Sequence, residues 1–222
     1  ISSFVGELDK NAITGFLNKT FGTWDSKMKF TAIAPRHFDV KGGTEAINTP
    51  DKTNAVVLGN ININISETHP DYPALFMANE LLGGGAFLSS RIPKRLRENE
   101  GMSYGAGTYM NSNYKYDVTN WGLYAIFNPL YKGRLDSAMH QEIDKAIASG
   151  FTKDELTKSV SAWLEGNKTS LGMNDFLARQ LRWYIRDGRD LTEFTNFENR
   201  VKALTTEAVN AAMKKYFDKS KL

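Results

Sequence analysis

One stretch in the first third of the chain alternates strictly between polar and apolar residues. We predict a strand from Ala55 to Ile65, because its second half is the run Asn60-Ile61-Asn62-Ile63-Asn64-Ile65 and a period of two is the spacing of a β-strand. This register places all three isoleucines on one face and a row of asparagines on the other. The asparagine row suits a hydrated surface that does not repel a peptide, and it equally suits an ordinary solvated sheet face.

Two further segments have the composition and spacing of strands. They are Tyr104–Met110 and Val118–Phe127, and in the second one Trp121, Leu123, Ala125 and Phe127 share a face. Phe4-Val5 resembles the end of another strand.

Apolar residues at helical spacing predict seven helices, whose apolar stripes we expect to form the core. Asp9 has the position of an N-cap, and Thr152 with Glu155 has the spacing of a capping box. The predicted helices run from Asp9 to Gly22, Asp71 to Leu82, Ser90 to Asn99, Leu135 to Ile147, Thr152 to Leu164, Met173 to Ile185 and Leu204 to Phe217.

A few strands followed by many amphipathic helices indicate an α+β fold. We expect a two-layer sandwich of a mostly antiparallel sheet with helices packed on one face, formed by residues 1–222 as a single domain. Residues 35–53 contain Pro35, Gly42, Gly43 and Pro50 and few large apolar side chains, so they are interpreted as a loop or linker within that domain.

Composition excludes several classes of function. The 28 Lys and Arg residues nearly balance 25 Asp and Glu, and a net charge of +3 is too small to indicate nucleic acid or an anionic membrane as a partner. No apolar run approaches the roughly 18 residues of a membrane span. The absence of cysteine excludes thiol nucleophiles, thiolate metal sites and disulfides, and fits a cytosolic or an extracytoplasmic location.

The residues alone do not predict a metal or phosphate site. The three histidines, His37, His69 and His140, are too far apart in sequence for a zinc cluster, and no second histidine lies within a helical turn of His140-Gln141-Glu142. The glycines 83–85 precede a basic helix, but they leave a helix rather than a strand, unlike a nucleotide-binding loop. We interpret Gly83, Gly84 and Gly85 as a structural turn. Gly101-Met102-Ser103-Tyr104-Gly105 has the spacing of a Gly-x-Ser-x-Gly motif, but it leads from a predicted helix into a predicted strand, whereas the serine of a hydrolase lies on a turn from a strand into a helix.

The stretch from Leu81 to Gly105 resembles the pitrilysin/insulinase family of zinc metallopeptidases. Its consecutive motifs are Leu81-Leu82-Gly83-Gly84-Gly85, Ser89-Ser90-Arg91, Leu96-Arg97-Glu98 and Gly101-Met102-Ser103-Tyr104-Gly105. Val5-Gly6-Glu7-Leu8-Asp9 resembles the inter-domain strand of that family, and Gly150 to Leu156 resembles one of its helix starts. Ile92-Pro93 and Met102 depart from the family pattern, in which leucine is usual at both places.

The resemblance implies a LuxS/insulinase-like domain that works as half of a pair. In this family one domain carries the zinc motif His-x-x-Glu-His, and a similar metal-free domain faces it across a chamber. The helix from Asp71 to Leu82 contains no histidine, and Glu80 is its only glutamate, so the chain resembles the metal-free domain. The expected partners are a peptide substrate and a zinc-bearing catalytic domain, either in the same polypeptide or in a sister subunit. This chain is expected to bind no zinc itself and to be inactive in isolation.

The resemblance also assigns roles to Arg97 and Tyr104, which lie seven residues apart. In the family, an arginine and a tyrosine at these positions reach from the metal-free domain toward the zinc. A guanidinium offers donors to peptide carbonyls, and a phenol can donate to the oxyanion of the transition state. The alternatives are a surface helix arginine and a half-buried strand tyrosine.

An alternative function is a structural or assembly subunit of the same fold that lacks protease activity. A metal-free domain has the same sequence features in both cases. A periplasmic or secreted location is favoured over a cytoplasmic one.

Overall fold

The computed structural model describes residues 1–85 and 90–222. Three strands, β1 (Ala55–Ile63), β2 (Ser103–Ser112) and β3 (Thr119–Phe127), form one antiparallel sheet in the order β1-β3-β2. The predictions of these three strands are therefore confirmed, with ends that differ by one or two residues. Tyr114 and its neighbours connect β2 to β3 as a hairpin, so β3 lies at the centre of the described sheet.

Eight helices accompany the sheet in the described residues. In chain order they are α1 (Lys10–Phe21), α2 (Tyr72–Asn79), α3 (Arg91–Pro93), α4 (Lys132–Ser149), α5 (Lys153–Leu171), α6 (Asn174–Asp187), α7 (Glu193–Lys202) and α8 (Thr206–Tyr216). Helices α2 and α3 each continue as a wider π-helical turn, over Glu80–Gly84 and Lys94–Asn99 respectively.

One face of the sheet is covered by helices and carries the core. The predicted isoleucine face is buried, with Ile61 and Ile63 only 2% and 4% exposed, and so is the Trp121 face of β3. The Trp121 ring meets Phe217, just beyond α8, edge to face at 4.6 Å. This arrangement confirms the predicted α+β sandwich with helices on one face of an antiparallel sheet.

Local hydrogen bonds fix the helix starts where the sequence predicts them. The carboxylate of Asp9 accepts from the amides of Asn11 and Ala12 at 2.9 and 3.0 Å. At the start of α5, Thr152 and Glu155 exchange hydrogen bonds as a capping box. Both predicted caps are confirmed.

Several predictions about helices and strands are wrong. No residue of α1 is buried, although its stripe was predicted to be core, and in α6 only Tyr184 is buried. Residues 1–9 form no strand, so the expected strand at Phe4-Val5 is absent from this described segment. Helix α7 was not predicted, although Phe194, Phe197 and the buried Val201 have the spacing of a short helical apolar stripe.

The chain forms no helix or strand between Phe21 and Ala55, a segment that the structure describes completely. Its large apolar side chains are exposed, among them Met28, Phe30 and Ile33 at 86%, 91% and 94%. Residues 35–53 lie within this segment. The chain's own described residues leave these apolar side chains uncovered.

Candidate functional site

The face of the sheet opposite the helices is the candidate site, and it is called the outer face below. Its residues form rows across the three strands, because directly paired residues share a face. Two rows are apolar and two are polar. The apolar rows are Val56–Ile126–Gly105 and Leu58–Tyr124–Gly107, and the polar rows are Asn60–Gly122–Tyr109 and Asn62–Asn120–Asn111.

The polar rows hold a network of side-chain hydrogen bonds. The Tyr109 hydroxyl donates to Oδ1 of Asn60 at 2.7 Å, and the Asn120 amide donates to Oδ1 of Asn62 at 3.3 Å. The Tyr109 ring crosses Gly122, where a β-carbon would stand 2.2 Å from the ring. Asn60 and Asn62 of the predicted asparagine row thus accept hydrogen bonds from side chains on β2 and β3, a role that the alternation in β1 alone did not reveal.

A β-bulge turns Tyr104 out of the sheet. Ser103 pairs with Phe127 and Gly105 pairs with Ile126, which leaves Tyr104 as an extra residue in β2. The Ser103 hydroxyl holds the bulge, since it accepts from the Gly105 amide at 3.1 Å and lies 2.9 Å from the carbonyl oxygens of Gly105 and Ile126. The Tyr104 side chain is 69% exposed, so it is not the half-buried strand tyrosine of the alternative interpretation.

Arg97 lies in the π-helical turn that continues α3, and its side chain is exposed. The turn toward β2 runs through Gly101, whose φ of 60° is in the left-handed region that glycine adopts without strain. The Met102 amide closes this turn by donating to the Leu96 carbonyl at 2.8 Å. Arg97 and Tyr104 are therefore both solvent-accessible and flank one short, defined turn.

Two other arginines anchor the helix that carries Arg97. Arg91 binds the Glu155 carboxylate with two nitrogens, at 2.8 and 2.9 Å, and stacks on the Phe151 ring. Arg95 donates to Glu100 and Glu142 at 2.9 and 3.0 Å. Arg91 of the motif Ser89-Ser90-Arg91 is thus bound to Glu155 on α5. Ser89 lies outside the described residues.

The predicted glycine turn is closely packed. A β-carbon on Gly83 would stand 2.8 Å from the Thr108 backbone nitrogen, and one on Gly85 would stand 2.7 Å from the Glu80 carbonyl oxygen. On Gly84 it would meet the Asn79 side chain at 2.2 Å. Gly83 is thus packed against β2, and Gly84 and Gly85 are packed against the preceding helical turn. The three glycines form a helix end rather than a phosphate cradle.

The described residues offer no metal site. No group of three or more histidine or acidic side chains converges in them, and His37, His69 and His140 lie apart. His69 accepts from the Asp71 amide through Nδ1 at 3.1 Å, and His140 lies 3.6 Å from Asp136. The resemblance implies zinc on the partner domain, and the described residues of this chain bring together no cluster that could hold it.

Glu80 is the one acidic residue of the α2 segment, and it is held away from water. Burial raises its pKa to about 7, and only the Asn79 amide, at 3.4 Å, opposes that shift with a hydrogen bond. It lines a small cavity of about 240 Å³ together with Gly85, Trp163 and Asn167. The sequence identified Glu80 only as the one glutamate of the predicted helix and did not indicate its burial.

None of the described helices is both long and apolar enough to cross a membrane.

The chain is similar to solved protease structures. A protease from Helicobacter pylori matches 98% of the chain at 18% identity with a TM-score of 0.79, and the chain spans 52% of it. A peptidase M16 inactive domain from Pseudomonas fluorescens matches 97% at 20% identity with a TM-score of 0.74, and the chain spans 50% of that structure. The periplasmic protease PqqL from Escherichia coli matches 95% at 18% identity with a TM-score of 0.64, and 23% of it is covered.

These structures establish the fold. The chain spans about half the length of the first two structures and 23% of the third. The comparison with curated proteins gave no sequence match. The family described as "Peptidase M16 inactive domain" matches residues 2–162, which include both Arg97 and Tyr104. The metallopeptidase resemblance is thereby confirmed, and this chain belongs to the peptidase M16 inactive-domain family.

Proposed function

We propose that this chain forms one wall of a peptide-hydrolysing chamber, opposite a domain that carries catalytic zinc. The outer face of the sheet serves as the wall, with apolar rows for substrate side chains and polar rows for backbone groups. The observation that carries the proposal is the bulge at Ser103–Gly105. It leaves Tyr104 without a partner residue on β3 and turns its side chain outward. Bulges of this kind occur next to active sites, where they redirect a side chain.

In the proposed reaction the chain supplies contacts to the substrate and leaves activation of water to the partner domain. The Tyr104 hydroxyl donates to the oxyanion that develops on the attacked carbonyl. The Arg97 guanidinium donates to substrate carbonyl oxygens with fixed geometry. The zinc of the partner domain supplies the Lewis acid.

The partner is a zinc-bearing domain of the same polypeptide or of a sister subunit. The chain's span of about half the length of the H. pylori protease supports a second half of similar size. The exposed stripe of α1 and the exposed apolar residues between Phe21 and Ala55 are the surfaces that it would cover. A periplasmic location is part of the proposal, in line with the absence of cysteine and with the periplasmic protease among the similar structures.

The test uses the complete protein with its zinc-bearing partner. Tyr104→Phe removes one oxyanion donor and is expected to lower kcat about 100-fold with little change in KM or melting temperature. Arg97→Gln is expected to lower kcat/KM by a similar order. Tyr116→Phe, a partly exposed tyrosine in the β2–β3 turn, is the matched control and should leave kcat unchanged.

Unaltered kcat in Tyr104→Phe would exclude the proposed role. A complete protein that contains zinc but hydrolyses no peptide would favour the structural or assembly subunit instead. Stoichiometric zinc on the isolated chain of 222 residues would contradict the division of labour between the two domains.

A further inference from the structure

The helical layer contains a second concave site, on the side of the sheet opposite Tyr104. It is a cavity of about 370 Å³ between helices α2, α5, α6 and α7, and it is called the aromatic cavity below. Its wall includes Phe76, Trp163, Trp183, Phe194 and Phe197. Both the volume and the apolar lining with a few polar groups are typical of sites for small ligands.

The wall of the aromatic cavity is built in advance. Phe76, Trp163 and Phe197 contact one another edge to face at 5.5 to 5.6 Å between ring centres. Trp183 nevertheless remains 41% exposed. Edge-to-face contacts of this kind fix ring positions, so a ligand would meet a rigid apolar surface.

Four charged residues line the cavity, and two of them neutralise each other. Arg189 donates to both oxygens of Glu67, at 2.6 and 3.2 Å, and is also bound by Asp187. Arg189 is further fixed over the Tyr114 ring at 4.1 Å. This ion pair is therefore part of the wall and is not available to a ligand.

The remaining two charges, Glu193 and Arg200, have no ion-pair partner in the described part of the chain. Arg200 contacts the Phe197 ring at 5.5 Å instead. Both residues lie on α7, seven positions apart, which places them on one face with about 10 Å between them along the axis. The amide nitrogen of Asn167, also in the wall, is buried without an acceptor among the described residues.

We propose that the aromatic cavity binds a short peptide with free termini and an aromatic side chain. The ammonium group pairs with Glu193, the carboxylate pairs with Arg200, and the aromatic side chain lies against the wall. A separation of about 10 Å corresponds to about three extended residues. The Asn167 amide donates to a carbonyl or carboxylate oxygen of the same peptide. This site does not depend on the proposed role of the outer face.

The test compares four tripeptides by calorimetry on the chain of 222 residues. Gly-Phe-Gly is expected to bind, whereas N-acetyl-Gly-Phe-Gly and Gly-Phe-Gly-amide should each bind about tenfold more weakly, because each lacks one charge-assisted contact. Gly-Ala-Gly lacks the ring and should also bind at least about tenfold more weakly. Quenching of Trp183 fluorescence gives an independent readout.

Two variants assign the ends of the peptide. In Glu193→Gln, acetylation of the peptide should no longer weaken binding, and in Arg200→Gln amidation should no longer do so. Glu198→Gln on the same helix and Arg179→Gln on α6 are controls that should retain both tenfold effects. No saturation by Gly-Phe-Gly up to about 10 mM would overturn the proposal. So would equal binding of Gly-Ala-Gly, or insensitivity of the unaltered chain to modification of either end.

Discussion

Arg91 holds the capping carboxylate of Glu155 through two parallel hydrogen bonds, although the two residues are 64 positions apart. Glu155 also accepts from the Thr152 backbone amide at 2.8 Å, so one carboxylate closes the start of α5 and anchors α3. Burial alone would raise the pKa of Glu155, but the hydrogen bonds from Arg91 and Thr152 outweigh it and lower the pKa to about 2.

Arg91→Met should lower the free energy of unfolding by about 2 kcal/mol at pH 7, since it leaves a partly buried carboxylate unpaired. The folded pKa of Glu155 lies below its ordinary value of 4.5, so the contribution is complete above pH 4.5 and is lost as the pH falls toward 2. Urea denaturation across this range should show the difference from wild type shrinking.

Arg179→Met is the matched control for Arg91→Met. Arg179 also pairs with an acid, Asp175, but both side chains are more than half exposed. The control should change the free energy of unfolding by less than about 0.5 kcal/mol. An Arg91→Met effect that is no larger, or that does not vary with pH, would contradict the structural role of the ion pair.

Gly83→Ala should lower the free energy of unfolding by about 2 kcal/mol, because the new β-carbon would be forced against the Thr108 backbone. Gly166→Ala, in the middle of α5, meets nothing within 4 Å and should instead raise it by roughly 0.5–1 kcal/mol. Thermal melts of both variants test this opposite pair of signs. If both variants changed the free energy of unfolding equally, helix propensity and not the close contact of Gly83 with β2 would determine the effect of alanine at Gly83.

The elements that the sequence predicts correctly are those whose determinants are local. The alternation around Ile61 and Ile63 fixes which face of β1 is buried, whatever the strand pairs with. The capping box at Thr152 and Glu155 is complete within four residues. In both cases the interaction that forms the structure lies within the segment that predicts it.

The features that the sequence does not predict depend on distant partners. The stripe of α1 shows which side of the helix is apolar but not what covers it, and none of the residues that the structure describes buries it. The bulge at Tyr104 depends on the pairing of β2 with β3, because an extra residue is defined only against a partner strand. The aromatic cavity joins residues from four helices, and no spacing within one of them indicates it.

Ser103→Ala should destabilise the bulge that exposes Tyr104. The variant removes a hydroxyl that bonds the Gly105 amide and adjoins two carbonyl oxygens, so the free energy of unfolding should fall by about 1 kcal/mol. Hydrogen exchange of the Gly105 amide should become faster. Ser137→Ala, which removes an exposed hydroxyl on α4, is the control and should alter neither quantity measurably. Unchanged exchange at Gly105 would mean that the strand pairing alone maintains the bulge.

Glu80→Gln should stabilise the protein at pH 8 and leave its stability unchanged below pH 4.5. Burial raises the pKa of Glu80 from 4.5 to about 7 in the folded state. Between these two values the folded chain holds a proton that the unfolded chain has released, so the free energy of unfolding of the wild type falls as the pH rises. A rise of this size in the pKa lowers the free energy of unfolding of the wild type by about 3 kcal/mol once the carboxyl group has ionised fully.

Glutamine keeps the shape of Glu80 and cannot ionise, so the variant should lack this slope, and its advantage should grow from pH 4.5 to about pH 7 and level off above that. Chemical denaturation at intervals of pH provides the measurement, and Glu98→Gln, at an exposed position, should follow the wild type. A variant that is less stable than the wild type at pH 8 would show that the ionised carboxylate has a stabilising partner.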